Sequence, residues 1–280
     1  MTDTGVDAVV QALAGQGYLA DRALATSVHL ARTLELPLLL EGEAGVGKTE
    51  VARALAAATG AELVRLQCHE GIDVHHALYD WDHARQLLAL RASEGAQGGD
   101  VDLWSERFLL ERPLLHALRA EGDVVLLIDE IDRADDAFEA FLLELLSDFA
   151  VSIPELGTVR ATSPPLVILT SNRTRELHDA LKRRCLYHWI DYPTPERELE
   201  VVRVRAPDVA EGVARRVCSA VARLRDEDLY KQPGVGETIA WARALGALGE
   251  DAAPDDALGA ALKVREDLDR IRELGVLDGV

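Results

Sequence analysis

One eight-residue segment, Gly42–Thr49, limits more than any other feature how this chain can fold. It follows the pattern G-x-x-x-x-G-K-[ST] and lies between an apolar run, Leu36–Leu40, and an alanine-rich segment, Val51–Thr59. In this pattern the glycines let the backbone curl so that successive N–H groups point inward at phosphate oxygens, and the following helix adds its positive end. A buried strand, a phosphate-binding loop and a helix are therefore predicted in that order. The predicted binding residues are Gly42, Glu43, Ala44, Gly45, Val46, Gly47, Lys48 and Thr49.

Two side chains of this loop carry specific chemistry. Lys48 supplies a positive charge to the β- and γ-phosphates of a nucleotide, and the hydroxyl of Thr49 is a ligand for Mg²⁺. The loop therefore predicts that the chain binds ATP together with Mg²⁺. The alternative is a glycine-rich turn without a ligand, but the flanking strand and helix are what the binding mechanism requires.

An acidic pair follows another apolar run. Val124–Asp129 is interpreted as a buried strand with Asp129 at its carboxyl end, and Glu130 comes next. Open α/β sheets bind their ligands at the carboxyl ends of strands. Asp129 can hold Mg²⁺ through water, and Glu130 can polarise the attacking water. An exposed acidic turn is the alternative interpretation.

Two further groups follow later in the chain. Asn172 comes just after the apolar run Leu166–Thr170, where its amide can orient water near the γ-phosphate or simply help a turn. Arg183 and Arg184 end a predicted helix. They are candidates for an arginine finger that reaches the γ-phosphate on a neighbouring subunit. The plainer interpretation is that they are cations placed at the negative end of the helix.

Short apolar runs alternate with helical segments over the first part of the chain, which predicts the α/β class, a parallel sheet with helices on both faces. A boundary is predicted at Asp191–Pro195, where two prolines interrupt the pattern, and only helices are predicted after it. The predicted strands are Leu36–Leu40, Glu62–Gln67, Val124–Asp129, Leu166–Thr170 and Cys185–Ile190. The predicted helices are Val51–Thr59, Asp136–Phe149 and Arg175–Arg184 before the boundary, and Glu196–Arg205, Val209–Arg225, Glu237–Gly249 and Asp255–Glu273 after it.

The segment Gly71–Arg107 does not fit the alternation and is interpreted as an insertion. It contains a predicted helix, Asp82–Ala92, followed by a flexible turn at Ser93–Asp100 with three glycines. A group of thiol and imidazole side chains lies in and just before it, and such ligands can hold copper or zinc. Their spacing matches no familiar site, so polar residues on an exposed insertion are the plainer interpretation. The group consists of Cys68, His69, His75, His76 and His83.

The formal net charge of −19 limits the classes of partner. Such a chain repels the phosphate backbone of nucleic acid unless its basic side chains gather on one face, so no nucleic-acid partner is expected. Its three cysteines lie far apart with no CxxC pair, which fits a reducing compartment. The apolar stretches are too short to cross a bilayer, and the N-terminus lacks the features of a secretory signal. A cytoplasmic protein without an integral membrane segment is expected.

The order of these elements resembles an AAA+ ATPase. Three segments sharpen the resemblance to the MoxR family, and most closely to its CoxD-like branch: Glu155–Thr158, Thr170–Leu177 and Leu181–Trp189. The likeness extends from about Tyr18 to the last helices. It implies an AAA+ P-loop NTPase core over 1–192, with N-terminal helices over 1–35 and a helix-2 insertion over 71–107. A small all-helical lid over 193–280 is implied to follow.

The resemblance also implies an activity and partners. These are ATP hydrolysis in a hexameric ring with ATP bound between subunits, chaperone-like remodelling of a protein client, and a partner that carries a von Willebrand factor A domain. In the CoxD-like branch the implied client is a molybdenum hydroxylase of the carbon monoxide dehydrogenase type, during maturation of its metal centre. A DNA-handling AAA+ motor and a slow nucleotide-dependent scaffold remain as alternatives.

Roles for single residues follow from the resemblance as well. It implies a hairpin at Val151–Arg160, and it allows Gln67 either to restrain Glu130 or simply to cap its strand. The implied assignments are Lys48 and Thr49 to Walker A, Asp129 and Glu130 to Walker B, Asn172 to sensor 1, and Arg184, with Arg183 as the fallback, to the arginine finger.

One position departs from the family's pattern. Glu237 falls where many MoxR relatives place the sensor 2 arginine of the lid. Arg243 lies six residues further on, which puts it on a different face of a helix, so it cannot simply replace the missing arginine. Hydrolysis is therefore expected to be slow or to depend on a partner.

Overall fold

The computed structural model describes residues 5–95, 101–249 and 251–279. These residues form two compact units. One unit holds Asp21–Glu41, Ala52–His188 and the chain before Leu13; the other holds Leu13–Ala20, Gly42–Val51 and the chain after His188. The predicted domain division at 1–192 and 193–280 stays a prediction.

Strands and helices alternate over the first part of the chain, as predicted. The strands are β1 (Leu38–Gly42), β2 (Glu62–Gln67), β3 (Tyr79–Trp81), β4 (Leu109–Glu111), β5 (Val124–Asp129), β6 (Ala150–Ile153), β7 (Gly157–Arg160), β8 (Leu166–Ser171) and β9 (Leu186–Ile190). The α-helices are α1 (Val6–Gly15), α2 (Arg22–Leu34), α3 (Lys48–Thr59), α4 (Val74–Ala77), α5 (His83–Gly95), α6 (Pro113–Arg119), α7 (Asp136–Asp148), α8 (Asp179–Arg184), α9 (Pro195–Arg205), α10 (Glu211–Arg225), α11 (Val235–Leu248) and α12 (Arg265–Leu274). Within the described ranges, none of the helices has the length and apolar character needed to span a membrane.

The main sheet has the strand order β2-β5-β8-β1-β9. The pairs β2–β5, β5–β8 and β8–β1 are parallel. Strands β1 and β5 are buried along their whole length, as expected for parallel strands that are covered on both faces. The predicted α/β class, a parallel sheet covered by helices and followed by a helical C-terminal region, is confirmed, and all five predicted strands are present with ends that shift by two residues at most.

The register of the sheet brings several carboxyl ends to one edge. Gln67 of β2 is aligned with Asp129 of β5, and Glu41 of β1 is aligned with Ser171 of β8. Because these strands are parallel, the segments that follow them all leave the sheet on the same side. This edge is where open α/β sheets bind ligands.

Capping and apolar spacing explain the helices that cover the sheet. The side chain of Asp135 accepts a hydrogen bond from the Phe138 N–H and so starts α7. Phe138, Leu142 and Leu145 are buried at helical spacing. They pack in one core with β2, β5 and β8, and this core is the centre of the first unit.

Two antiparallel hairpins accompany the sheet. The pair β6–β7 turns at Gly157, whose φ of +85° suits glycine, and the hairpin implied at Val151–Arg160 is confirmed. The pair β3–β4 closes the insertion, where the rings of Trp81 and Trp104 meet edge to face with centroids 5.3 Å apart.

Three predicted segments are wrong in detail. Helix α5 continues to Gly95 where a turn was predicted, and 96–100 lie outside the described residues. Helix α8 starts at Asp179 rather than Arg175, because contacts with acidic side chains hold the preceding residues in a loop. The last predicted helix is broken into a 3₁₀ segment, Pro254–Ala260, and α12. Gly259, a poor helix former, and the extended backbone at Val264 fit this break.

The second unit has its own core, formed by the C-terminal helices. Trp241 of α11 is fully buried, and its indole N–H donates to the Pro254 carbonyl at 3.1 Å. Glu198 and Arg225 form a buried two-bond ion pair at 2.7 and 2.8 Å, and Thr238 donates to the same carboxylate. In the described part of this segment no strand follows β9, as predicted for a helical lid.

Candidate functional site

The phosphate-binding loop has the backbone shape that the sequence pattern predicts. Gly42, Gly45 and Gly47 have φ values of +156°, +82° and +99°. A Cβ atom on Gly42 would lie 2.2 Å from the carbonyl oxygen of Ile190. Only glycine fits there without a shift of the backbone.

Lys48 begins α3 and folds back into the loop. Its Nζ donates to the carbonyl oxygens of Gly42 at 2.8 Å and of Glu43 at 2.7 Å, and the residue is buried. The ammonium is thus fixed inside the curled loop, next to the N–H groups at the start of α3. A fixed cation beside the N-terminus of a helix favours the binding of an anion.

The outer side of the loop contacts the C-terminal helices of the same unit. The N–H of Val235, at the start of α11, donates to the Gly45 carbonyl at 3.0 Å. Gly234 approaches so closely that a Cβ atom on it would lie 2.7 Å from the Cα atom of Gly45. Tyr192 donates to the Ala44 carbonyl at 3.3 Å. The position of α11 is therefore tied to the shape of the loop.

Glu237 lies in the first turn of α11 and faces this contact. One of its carboxylate oxygens would be 3.6 Å from a Cβ atom on Gly45. Arg243 instead donates to the carbonyl of Arg205 at the end of α9, at 2.6 Å. Glu237, at the position where many MoxR relatives place the lid arginine, therefore presents a negative charge to the loop. Arg243 does not take the place of that arginine.

In the other unit, the acidic pair lies at the carboxyl end of β5, as predicted. Asp129 is buried, and Thr170 of β8 donates to its Oδ1 at 2.6 Å. The same Thr170 hydroxyl accepts a hydrogen bond from the Glu130 N–H at 2.9 Å. One hydroxyl group therefore positions both acidic residues, a role that the sequence pattern did not reveal.

Glu130 has a left-handed backbone, with φ at +55°. Its carboxylate forms an ion pair with Arg133, at 2.8 Å between Oε2 and Nε. The side chain of Gln67 does not supply this restraint in the described structure; it accepts from Arg65 and donates to the Cys68 carbonyl at 3.4 Å. Arg133 is thus a neighbour of Glu130 that sequence reasoning missed.

The loop that carries Asn172 is held by two buried carboxylates that were also missed. Asp132 accepts hydrogen bonds from the N–H groups of Asn172 and Thr174, at 3.2 and 2.9 Å, and from the Thr174 hydroxyl at 2.6 Å. Glu139 of α7 accepts from the Arg175 guanidinium and from the His178 N–H. In the sequence, Asp132 is recognisable only as an acidic residue shortly after a strand, and Glu139 only as an acidic residue in the first turn of a helix.

Arg183 and Arg184 are exposed at the end of α8, in the same unit. Arg184 donates to the hydroxyl of Ser147 near the end of α7. The structure therefore places this pair on an accessible surface.

The cysteine and histidine side chains near the insertion do not gather into one site. Over the described residues no group of three or more His, Cys, Asp or Glu side chains is arranged to hold a metal ion. Burial, followed by the charges of Asp129, Asp132 and Glu130, raises the pKa of the Cys68 thiol to about 12. His76 instead pairs with Asp73, and His83 with Gln86.

Comparisons with known proteins agree with this geometry. A model of the AAA domain, dynein-related subfamily, matches residues 37–185. Protein NorQ of Paracoccus denitrificans is 27% identical over 175 residues, 60% of this chain and 57% of NorQ. An uncharacterized protein of Staphylococcus haemolyticus is 26% identical over 215 residues, 74% of each chain. Midasin of Dictyostelium discoideum is 35% identical over 136 residues, 48% of this chain and 2% of midasin.

The chain therefore spans little more than half the length of NorQ and a small fraction of midasin. The family match includes the phosphate-binding loop, the acidic pair, Asn172 and both arginines of α8. Because that match covers more than half of the chain, from the residue before β1 to the end of α8, the chain belongs to the AAA domain family, dynein-related subfamily, and is a P-loop NTPase.

Proposed function

We propose that the protein is a MoxR-type AAA+ ATPase that hydrolyses ATP to remodel a protein client. The observation that carries the proposal is the double contact of Thr170, which donates to Asp129 and accepts from the Glu130 N–H. These contacts hold the carboxylate that we propose for Mg²⁺, Asp129, beside the one that we propose as general base, Glu130, at the edge of a parallel sheet. The similarity to NorQ, a MoxR family member, supports the family assignment.

The proposed chemistry divides among the residues as follows. The loop Gly42–Thr49 binds the phosphates of ATP through its N–H groups and Lys48. The Thr49 hydroxyl and the Asp129 carboxylate are hard oxygen donors that suit Mg²⁺, which offsets the charge of the β- and γ-phosphates when bound. Glu130 accepts a proton from the water that attacks the γ-phosphorus, Asn172 orients that water, and ADP and inorganic phosphate leave.

The site is proposed to be completed by a second copy of the chain. Arg184, or Arg183 in its place, would reach the γ-phosphate of a neighbouring subunit in a hexameric ring. The exposure of both side chains at the end of α8 supports this arrangement. The core at 1–192 and the lid at 193–280 would then form one subunit of the ring.

The partners are proposed from the sequence resemblance to the CoxD-like branch. They are a protein with a von Willebrand factor A domain and, as client, a molybdenum hydroxylase of the carbon monoxide dehydrogenase type. The cytoplasm is the proposed compartment, and the three described cysteines are free thiols, as a reducing environment requires.

A second candidate function is a nucleotide-dependent scaffold that turns over slowly. It is favoured by Glu237, whose carboxylate faces the phosphate-binding loop where a cation would be expected. Measuring the ATPase rate with and without the A-domain protein separates the candidates. A rate that stays negligible with the partner present would favour the scaffold.

The Glu130→Gln variant tests the proposed hydrolysis. It should bind a fluorescent ADP analogue as the wild type does, whereas kcat should fall by about a hundredfold or more because the proton acceptor is lost. Glu144→Gln, at an exposed position of α7, is the matched control and should hydrolyse normally. Wild-type turnover in Glu130→Gln would refute the assignment.

Mixed rings test the proposed finger. Arg184→Ala subunits and Lys48→Ala subunits should each be inactive alone, and activity should return when they are mixed, because each supplies what the other lacks. Mixed rings that form but stay inactive would exclude Arg184 acting between subunits. A pull-down with Glu130→Gln and ATP would then identify the client.

A further inference from the structure

Arg65 of β2 binds the carboxylate that is proposed to hold Mg²⁺. Its Nε and Nη2 atoms both donate to Oδ2 of Asp129, at 3.0 and 2.6 Å. The other oxygen, Oδ1, accepts from the Thr170 hydroxyl at 2.6 Å. Both oxygens of Asp129 are therefore engaged by neighbouring strands of the sheet.

The two partners of this ion pair differ in their access to solvent. The side chain of Arg65 is 43% exposed, whereas that of Asp129 is 4% exposed. A buried carboxylate needs a compensating charge, and it cannot turn towards water to find one. A long arginine side chain can move its charged end into solvent at little cost. Arg65 is consequently the partner that can leave.

Gln67 supports the arginine from the other side. Its Oε1 accepts from Nη2 of Arg65, the same nitrogen that binds Asp129. Gln67 also lies in register with Asp129 across the β2–β5 pair. A guanidinium that releases Asp129 therefore still has an acceptor within reach on its own strand.

We propose that Arg65 holds Asp129 in place of the metal and is displaced from Oδ2 when Mg²⁺ and nucleotide bind. Two cations at one carboxylate oxygen repel each other, and Mg²⁺ requires near-octahedral oxygen ligands. Arg65 is thus a positioning residue that sets the Mg²⁺ concentration needed for nucleotide binding. This inference rests on the proposed function, because it requires Asp129 to serve the Mg²⁺–nucleotide complex.

The test is a titration of MgCl₂ in the presence of a fluorescent ADP analogue, read as binding rather than as activity. In Arg65→Gln the half-saturating Mg²⁺ concentration should fall by about fivefold or more, because the competing cation is gone. In EDTA, Arg65→Gln should bind the analogue more weakly than the wild type does, because the uncompensated Asp129 then repels the phosphates. Arg65→Lys keeps the positive charge but loses one of the two hydrogen bonds to Asp129. Its half-saturating Mg²⁺ concentration should therefore lie between those of Arg65→Gln and the wild type.

Arg175→Gln is the matched control. It also removes an arginine from a buried carboxylate, Glu139, and so tests for a general loss of stability without touching Asp129. It should leave the Mg²⁺ midpoint unchanged even where its melting temperature falls. An unchanged midpoint in both Arg65 variants, or an equal shift in Arg175→Gln, would overturn the inference. If the wild type bound no analogue at any Mg²⁺ concentration, the proposed function itself would fail, and this inference with it.

Discussion

The backbone N–H of Asn172 donates a hydrogen bond to the carboxylate of Asp132, 40 residues earlier in the chain. Asp132 follows the acidic pair at the end of β5, and Asn172 follows β8, the next strand in the sheet. The segment that follows β5 therefore holds in place the segment that follows β8. The position of the proposed water-orienting residue, Asn172, therefore depends on a carboxylate that is itself buried.

Removal of this carboxylate should affect both stability and turnover. Asp132→Ala leaves three donors of the Asn172 loop without their acceptor in a partly buried setting. We expect a loss of roughly 2–4 kcal/mol in the free energy of unfolding and a larger effect on kcat than on ADP affinity. Chemical denaturation and steady-state kinetics measure the two effects. Asp136→Ala removes a carboxylate that is 83% exposed and should cost little; equal losses in both variants would contradict the special role of Asp132.

The close approach of Gly234 to the phosphate-binding loop gives a second prediction. Gly234→Ala should lower both the melting temperature and the affinity for a fluorescent ADP analogue, because the new Cβ would lie 2.7 Å from the Cα atom of Gly45. Gly236→Ala is the control two residues further along α11, where a Cβ atom meets nothing within 4 Å. It should stabilise the helix by up to about 1 kcal/mol. Similar behaviour of the two variants would mean that the contact at Gly45 is unimportant.

The carboxylate of Glu237 should oppose the binding of phosphates. Glu237→Gln removes a negative charge next to the loop, so ATP should bind about two- to tenfold more tightly, with the larger gain at low ionic strength. Titration of a fluorescent ATP analogue at two salt concentrations checks this. Glu273→Gln, which makes the same charge change at an exposed position of α12, should bind as the wild type does. Unchanged affinity in Glu237→Gln would show that its carboxylate turns away from the nucleotide.

The buried thiol of Cys68 gives a prediction about pH. Its pKa is raised to about 12, chiefly by burial. Because the reactive thiolate is then scarce at pH 8, iodoacetamide should label Cys68 in the folded protein on the order of a thousandfold more slowly than in the denatured chain. The rate should rise roughly tenfold with each pH unit up to about pH 11, provided that the fold persists. Mass spectrometry of the labelled peptide measures the rate, and rapid native labelling at pH 8 would disprove the assignment.

The sequence was informative where a local pattern has a single physical reason. Gly42, Gly45 and Gly47 adopt the backbone angles that the loop pattern requires, and the apolar run before Asp129 forms the buried strand that it predicts. In both cases the residues that decide the structure are neighbours in the chain. The order of strands in the sheet, by contrast, is not determined by any single segment of the sequence.

Apart from Arg133, which lies three residues from its partner Glu130, the missed residues act between neighbouring elements of the fold. Thr170 meets Asp129 only because β8 lies beside β5, and Arg65 meets it only because β2 lies on the other side. The early start predicted for α8 failed for the same reason, since Glu139 of α7 binds the residues that would have formed its first turns. Local propensity could not anticipate these distant partners.

Glu139 and Ser147 lie on α7 about 12 Å apart along the helix axis, and each binds a different segment of the same unit. Glu139 binds the loop after Asn172, while Ser147 binds Arg184. Packed protein interiors have low compressibility and transmit strain, so α7 is a rigid link between these two segments. Helix α7 therefore connects the loop of the proposed water-orienting residue, Asn172, to Arg184, the residue proposed to reach a neighbouring subunit.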